Sequence, residues 1–524
     1  MRHLSRLYIF MGLIAALMLA SCVSANNAAE PIATETAVPA ISIPPTSQPT
    51  ATPTLPSSEP NNAPINPLTG QPVQDPTLLD WPALLISISH FPATARPQAG
   101  LSFAPYVFEI YITEGATRFL AAFYGEFPAP EVPLTGNCEV RREPFVKTAT
   151  ILGNQVWLDK NANGLQDIGE RGVGGVCVNL YDASGDPVQQ TTTDTNGYYG
   201  FNVEAGKYIV EFAKPPVFEF TQKNAGDENR DSDVDQATGR FDADVSSDDL
   251  SRDAGLIPSV DMLTPQADLP HAWVGPIRSG RLIYADIAEF FQDSCLIYAF
   301  ASAEVLAQLP KCSFVAHEID GGGYMMELDR MRAIAEDNYH KRGLNFNYAS
   351  NTYSDEPLPG GVPASRLDYY VAYLNQSAWV YDPLYQGWLR YVDEAEEDKA
   401  GILHAETDRL TGRQLHVENL IVLFTEHDVV SPTNLDIHLE QGMTEDALLF
   451  RDGQMYKIKW STTSGEYERK AGLRRPIQFL DLTGNPMPLK PGHTWILVVT
   501  PYSTIEEKSP GMWRVLFAYP EGSK

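Results

Sequence analysis

Positive charge is what this chain has least of: 38 Lys and Arg stand against 67 Asp and Glu in 524 residues, a formal net charge of −29. Nucleic acid and anionic membrane surfaces both demand basic patches, so neither is expected as a docking partner, and metal cations suit the balance better. Catalytic signatures are missing too: no His-Glu-x-x-His, Cys-x-x-Cys, Gly-x-Ser-x-Gly or Walker loop occurs. His90, His271, His317, His404 and His416 lack such a frame and read as surface or satisfied core residues, although His404, Asp408 and His416 could form a dyad on spacing alone. Cysteine is scarce at 5. Besides Cys22, the residues Cys138, Cys177, Cys295 and Cys312 allow two disulfides in three pairings in an exported protein, with free buried thiols as the alternative. Pairing Cys138 with Cys177 would staple a linker to a module, and pairing Cys295 with Cys312 would close a loop.

Long apolar runs are confined to the start. Arg2, His3 and Arg6 precede an apolar stretch from Leu7 to Ala20, a secretory pattern too short for a comfortable spanning helix. Leu19-Ala20-Ser21-Cys22 resembles the bacterial lipobox. That likeness implies a lipoprotein signal peptide over 1–22, lipidation of Cys22, and a lipid-anchored place on the extracellular face of the cytoplasmic membrane or the cell surface; a plain transmembrane anchor competes with it. Residues 23–65 are Pro, Thr, Ser, Ala and Asn with few large apolar side chains. Such a segment cannot offset its ordering entropy, and it reads as a disordered tether that reaches about 130 Å at full polyproline extension.

The chain beyond residue 65 is too long for one core, and two or three domains are expected. Residues 83–88, 106–112 and 119–124 read as buried strands, too few for a domain, and Pro128 to Pro133 as a linker. At the centre of the chain lies Asp159-Lys-Asn161-Ala-Asn163-Gly164-Leu165-Gln-Asp167-Ile-Gly-Glu170. Side-chain oxygens at positions 1, 3, 5 and 9, Gly at 6 and Glu at 12 match a twelve-residue Ca²⁺ loop, with Leu165 placed to offer its carbonyl. The flanks are β-branched alternating runs rather than helices, so the loop sits in a β domain. Short strands broken by Asn-Gly, Ser-Gly and Ala-Gly turns suggest a small sandwich. An acidic run then carries Asp231, Asp233, Asp235 and, further on, Asp253. Crowded carboxylates repel by about 1 kcal/mol per pair at 4 Å even in water unless a cation intervenes, so this run is either a second cation site or a solvated loop.

The order of GNQVWLDKNANGLQDIGERGVGGVCVNLYD, TTTDTNGYYGF, GKYIVEF and DENRDSDVDQATGRF resembles the Ca²⁺-binding B repeats of serine-aspartate-rich Gram-positive surface adhesins. The likeness covers 150–257 and implies a rigid Ig-like or prealbumin-like all-β spacer with more than one Ca²⁺ site. NPLTGQPV, ARPQAGLSFAPYVFEIYITEGATRFLAAF, VGPIRSGR and YDPLYQGWLRY resemble a second family, the YerB-like lipoproteins, a domain of unknown function. This likeness implies that 66–128 and 271–360 are two parts of one discontinuous α/β host domain. Residues 361–524 read as a mostly antiparallel, β-rich C-terminal subdomain, and the whole is of α+β class. Insertion is easiest where the guest's ends, near 150 and 257, emerge close together. Arg96, Glu109, Glu114, Arg118, Arg278 and Arg281 fall in the host motifs and form either a charged cleft or a structural ion-pair network. The expected function is that of a non-catalytic cell-surface protein that binds an envelope polymer or protein. The alternative is an envelope enzyme acting on peptidoglycan or polysaccharide with Glu109 or Glu114 as acid or base.

Overall fold

The structure, a computed structural model, describes residues 64–131, 134–258, 272–319, 323–341, 343–431 and 434–521. These residues lie in one compact unit, Asn61–Lys524. The signal segment with Cys22, the tether up to residue 63 and His271 fall outside the described residues. No helix among the described residues is long and apolar enough to cross a membrane.

Leu84–Ser89 is buried at every position, as a continuous apolar run requires when both faces of a strand are covered. It lies in an eleven-stranded sheet between Cys295–Tyr298 and Ala116–Phe123. The sheet continues through Tyr106–Thr113, Thr494–Val499, Asn419–Phe424, Thr444–Arg451 and Gln454–Ser461. Strands from both sides of residue 360 therefore share one sheet. Helix Ile283–Phe290 lays Ile283, Tyr284, Ile287, Ala288 and Phe290 into the core, the spacing of one helical face. A seven-stranded sheet built around Gly387–Asp393, Asn375–Asp382 and Arg366–Ala372 packs on the first. Trp379 meets Trp495 at 5.2 Å and Trp388 meets Phe450 at 5.6 Å between ring centres, joining the two.

The α+β class holds, with few helices and many strands. The C-terminal part is mostly antiparallel as expected, with parallel pairing at two of its strands. Thr494–Val499 runs parallel to both its neighbours, and Met512–Leu516 runs parallel to Arg366–Ala372. Those pairings join strands far apart in sequence, so no hairpin signal announces them.

The inserted sandwich has two four-stranded sheets and its own core, including Val156, Val178, Phe201, Phe212 and Leu256. Its ends correct the expectation. Ala254–Pro258 pairs in parallel with Thr150–Leu158, Ala254 opposite Val156, so Thr150 and Ile257 lie toward opposite ends of that strand pair. The segment before Thr150 resolves this. Leu134 and Gly136 hydrogen-bond with Gly174, and Val173 bonds Val156, so the chain enters beside the end where it leaves. It then crosses the guest, held by the Cys138–Cys177 disulfide, before the first strand begins. Cys295–Cys312 closes the second expected loop. The stretch beginning at Pro128 is pinned: Glu131 N–H donates to Leu410 O, and the Glu131 carboxylate meets Arg413 at 2.9 Å and Arg171 at 3.6 Å.

Candidate functional site

The twelve-residue loop closes on itself as its spacing demands. Gly164 takes φ +81°, where a Cβ would meet Gln222 O at 2.8 Å, so only glycine fits the turn. Asp159 is fully buried and accepts from Gly164 N–H at 2.8 Å, Asn163 N–H at 3.2 Å and Thr221 Oγ1 at 2.5 Å. Glu170 folds back to accept from Lys160 N–H at 2.7 Å and Asp167 N–H at 3.0 Å. Asn161 and Asn163 each donate an amide N–H to Asp167 Oδ2 at 2.8 Å. Two donors converging on one carboxylate oxygen mark a point of concentrated negative potential, and a flip of either amide presents oxygen instead. Burial pushes the Glu170 carboxyl up, and the charges of Asp159 and Asp167 push in the same direction. The donor set of carboxylates, amides and the Leu165 carbonyl fits a hard cation. Among the described residues, no cluster of three or more His, Cys, Asp and Glu side chains is arranged for a metal, so the loop depends on its amides and main chain.

The acidic run does not act as one group. Asp231 bridges to Leu165 of the loop and accepts from Gly226 N–H at 3.0 Å. Asp233 accepts from Arg252 Nη1 at 2.7 Å and Asp253 N–H at 2.8 Å. Asp235 is exposed and holds its own turn through Thr238 N–H, Thr238 Oγ1 and Ala237 N–H. Those three bonds all fall on Oδ1, and its exposure sets it apart from buried Asp231 and Asp233. Asp253 lies nearer to them: it is buried, and after desolvation the charges of Asp233 and Asp231 raise its carboxyl well above the usual range.

The six charged host residues separate. Glu114, exposed at φ 49°, forms the tip of the hairpin between Tyr106–Thr113 and Ala116–Phe123, which corrects its place in a cleft. Glu109 is fully buried between strands. Its carboxylate meets Arg390 Nη1 at 3.1 Å and accepts from Trp495 Nε1 at 3.0 Å and Thr117 Oγ1 at 3.1 Å. Arg390, also fully buried, pairs in turn with Glu406 and lies 4.5 Å from the Trp495 ring centre. His90 joins Thr117 at 2.7 Å and Arg96 Nη2 at 2.8 Å, and burial with the nearby Arg96 and Arg390 charges drives its pKa far down. Arg96 also bonds Asp393 O. This is an ion-pair network without access for a substrate, and Glu109 is no free acid or base. Arg390, Glu406 and Asp393 were missed, although Arg390 lies within the host motif YDPLYQGWLRY. Arg118, Arg278 and Arg281 gather elsewhere, around Ser279 and Tyr284. Asp408 caps Gly100, Ser102 and Leu410 N–H groups, and His404 is exposed, so neither forms a dyad.

Guest and host meet along a polar seam. Asn196 Nδ2 donates to Tyr385 OH at 2.7 Å, Tyr198 packs on Tyr385 at 4.2 Å, and Phe145 N–H donates to Asp382 at 2.8 Å. The Ca²⁺-loop motif takes part directly. A Cβ on Gly169 would lie 3.0 Å from host Gln74 Oε1, and Lys160, Glu170 and Arg171 line a cavity of about 510 Å³ with Glu131, Arg413 and His416.

Comparison with known families matches three stretches of the chain. Residues 68–157 match the N-terminal domain, and 367–496 the C-terminal domain, of a protein of unknown function, DUF3048. Residues 150–256 match the SdrD B-like domain. Serine-aspartate repeat-containing protein F of Staphylococcus epidermidis is 40% identical over 114 residues, 21% of this chain and 7% of that protein. A fibrinogen-binding protein of the same species is 41% identical over 106 residues, 20% of this chain and 9% of its own. Serine-aspartate repeat-containing protein C of Staphylococcus aureus is 37% identical over 133 residues, 25% and 13% of the two chains. The chain thus spans only 7% to 13% of the length of these relatives. The crystal structure of the YerB protein from Bacillus subtilis aligns with 83% of this chain and 96% of its own, at TM-score 0.45 and 16% identity.

Proposed function

With the two parts of a DUF3048 domain interrupted by an SdrD B-like domain, we propose a non-catalytic, lipid-anchored surface protein whose host domain binds an envelope polymer or an extracellular protein. The inserted sandwich is its Ca²⁺-stiffened element. Asp159, Asn161, Asn163, Asp167 and Glu170, with the Leu165 carbonyl, are the residues that would hold the ion. When bound, Ca²⁺ supplies positive charge among three carboxylates that otherwise repel. One observation carries this reading: the loop whose sequence has the Ca²⁺-loop spacing is the same loop that rests on the host, with Gly169 against Gln74 and Glu170 beside the Glu131–Arg413 pair. Ordering the loop therefore orders the joint, and the guest is fixed on its host rather than swinging from it.

Binding to insoluble peptidoglycan, with and without its attached anionic polymers, and to immobilised fibrinogen tests the proposal. Retention on at least one surface, reduced when EDTA replaces Ca²⁺, is the expected result. Equal and negligible retention on all of them, with Ca²⁺ present, refutes it.

A further inference from the structure

Arg118, Arg278 and Arg281 run against the composition of a chain in which acids outnumber bases 67 to 38. Arg118 stands on Ala116–Phe123 opposite Ser89, and the other two on the segment leading into helix Ile283–Phe290. Ser279, between them in sequence, receives Arg118 Nη1 on its hydroxyl at 2.8 Å and on its carbonyl at 3.2 Å. Tyr284 OH is a further partner of Arg118, and it also contacts Ser87 Oγ at 3.2 Å. All of these partners are ordinarily neutral. Arg278 donates to its neighbour's carbonyl, Ile277 O, at 3.2 Å. Among the described residues no carboxylate comes within ion-pair distance of Arg118 or Arg278; burial pushes Arg118 down to about 10, and the charges felt from Arg281 and Arg278 add to that fall.

A guanidinium withdrawn from water without an opposing charge is costly unless an anion completes the site. The planar forks of arginine match the oxygens of phosphate in paired hydrogen bonds. The helix that begins beyond Arg281 has no side-chain cap at Leu282, and the positive end of its dipole adds to the same field. All three arginines are partly exposed, so the niche opens to solvent. We infer that Arg118 and Arg278, with Arg281 alongside, bind a phosphodiester group of an anionic envelope polymer.

The inference rests on the reading of the host as a binding module and names the chemistry of its partner. A polymer is favoured over a lipid surface because the three arginines are only partly exposed, within reach of the phosphate of a single chain rather than of a flat plane of headgroups.

Equilibrium binding of poly(glycerol phosphate) to the full chain, at low and at physiological salt, is the test. Arg278→Gln should weaken binding about tenfold or more, as loss of a charge-assisted hydrogen bond does, with Arg278→Lys recovering part of it. Arg118→Gln should do the same where a melting curve shows it folded. Arg240→Gln, on the guest surface, should leave binding unchanged. Binding that Arg278→Gln and Arg118→Gln leave intact overturns the niche while leaving the host a binding module. Preference for phosphatidylglycerol vesicles over the polymer overturns the assignment of partner. No binding of the polymer, combined with retention on peptidoglycan free of anionic polymers, overturns the niche alone; loss of both overturns the binding-module reading as well.

Discussion

Stripping divalent ions from the protein should melt the inserted sandwich well before the host. Burial raises the Glu170 carboxyl and the charges of Asp159 and Asp167 add to the rise, although the three side chains do not gather as a metal cluster in this structure. Extracellular Ca²⁺ modules bind at about 10⁻⁴–10⁻³ M. A free concentration a hundredfold above the dissociation constant stabilises the folded form by about 2.7 kcal/mol. For a domain of about a hundred residues each kcal/mol moves the melting point by about 4–8 °C, so a rise of roughly 10–20 °C is expected between EDTA and saturating Ca²⁺. Differential scanning calorimetry should resolve it as a shift of one transition. Glu170→Gln should abolish most of the shift, and Asn161→Ala should reduce it. A transition that stays within about 1 °C across that range would refute the reasoning, as would a full shift retained in Glu170→Gln.

The buried groups and the cross-links give further expected outcomes. His427 is buried with Nδ1 bonded to Thr425 O at 2.8 Å, and burial brings its pKa down to about 4. Because its folded pKa lies below the unfolded value, the stability it contributes is complete above about pH 6.5 and is lost as the pH falls toward 4, by about 3 kcal/mol; urea melts of the protein and of His427→Gln at pH 7 and pH 4.5 should show the variant losing less. Reduction should cost about 4 kcal/mol at Cys138–Cys177 and about 3 kcal/mol at Cys295–Cys312, from loops with sequence separations of 39 and 17. Cys138→Ser with Cys177→Ser, melted beside the parent, checks the first. Glu109→Gln leaves Arg390 with Glu406 alone in the core, and a loss of about 3–5 kcal/mol is expected by denaturant titration.

The parts that could be read from the sequence are those whose physics is local. The Ca²⁺ loop is legible because its ligands sit at fixed short spacings and Gly164 must turn where it does. Leu84–Ser89, Tyr106–Thr113 and Ala116–Phe123 are legible as apolar or alternating runs closed by turns. The hidden parts are non-local. Glu109 finds Arg390, itself paired with Glu406, across nearly three hundred residues, and nothing in either segment marks the other. The direction of Ala254–Pro258 against Thr150–Leu158 was equally invisible, and with it the role of residues 134–149 in carrying the chain back across the guest. A shared host motif grouped Glu114 with Glu109, although Glu114 lies at a turn and Glu109 inside a strand.

Amide hydrogen exchange of the full chain, with Ca²⁺ and with EDTA, addresses the joint most directly. The loop amides of Gly164 and Leu165 should be slowed by Ca²⁺ together with the host-seam amide of Glu131, which donates to Leu410 O. Protection gained in the loop while Glu131 exchanges at an unchanged rate would contradict a guest that is held on its host through the ion-binding loop.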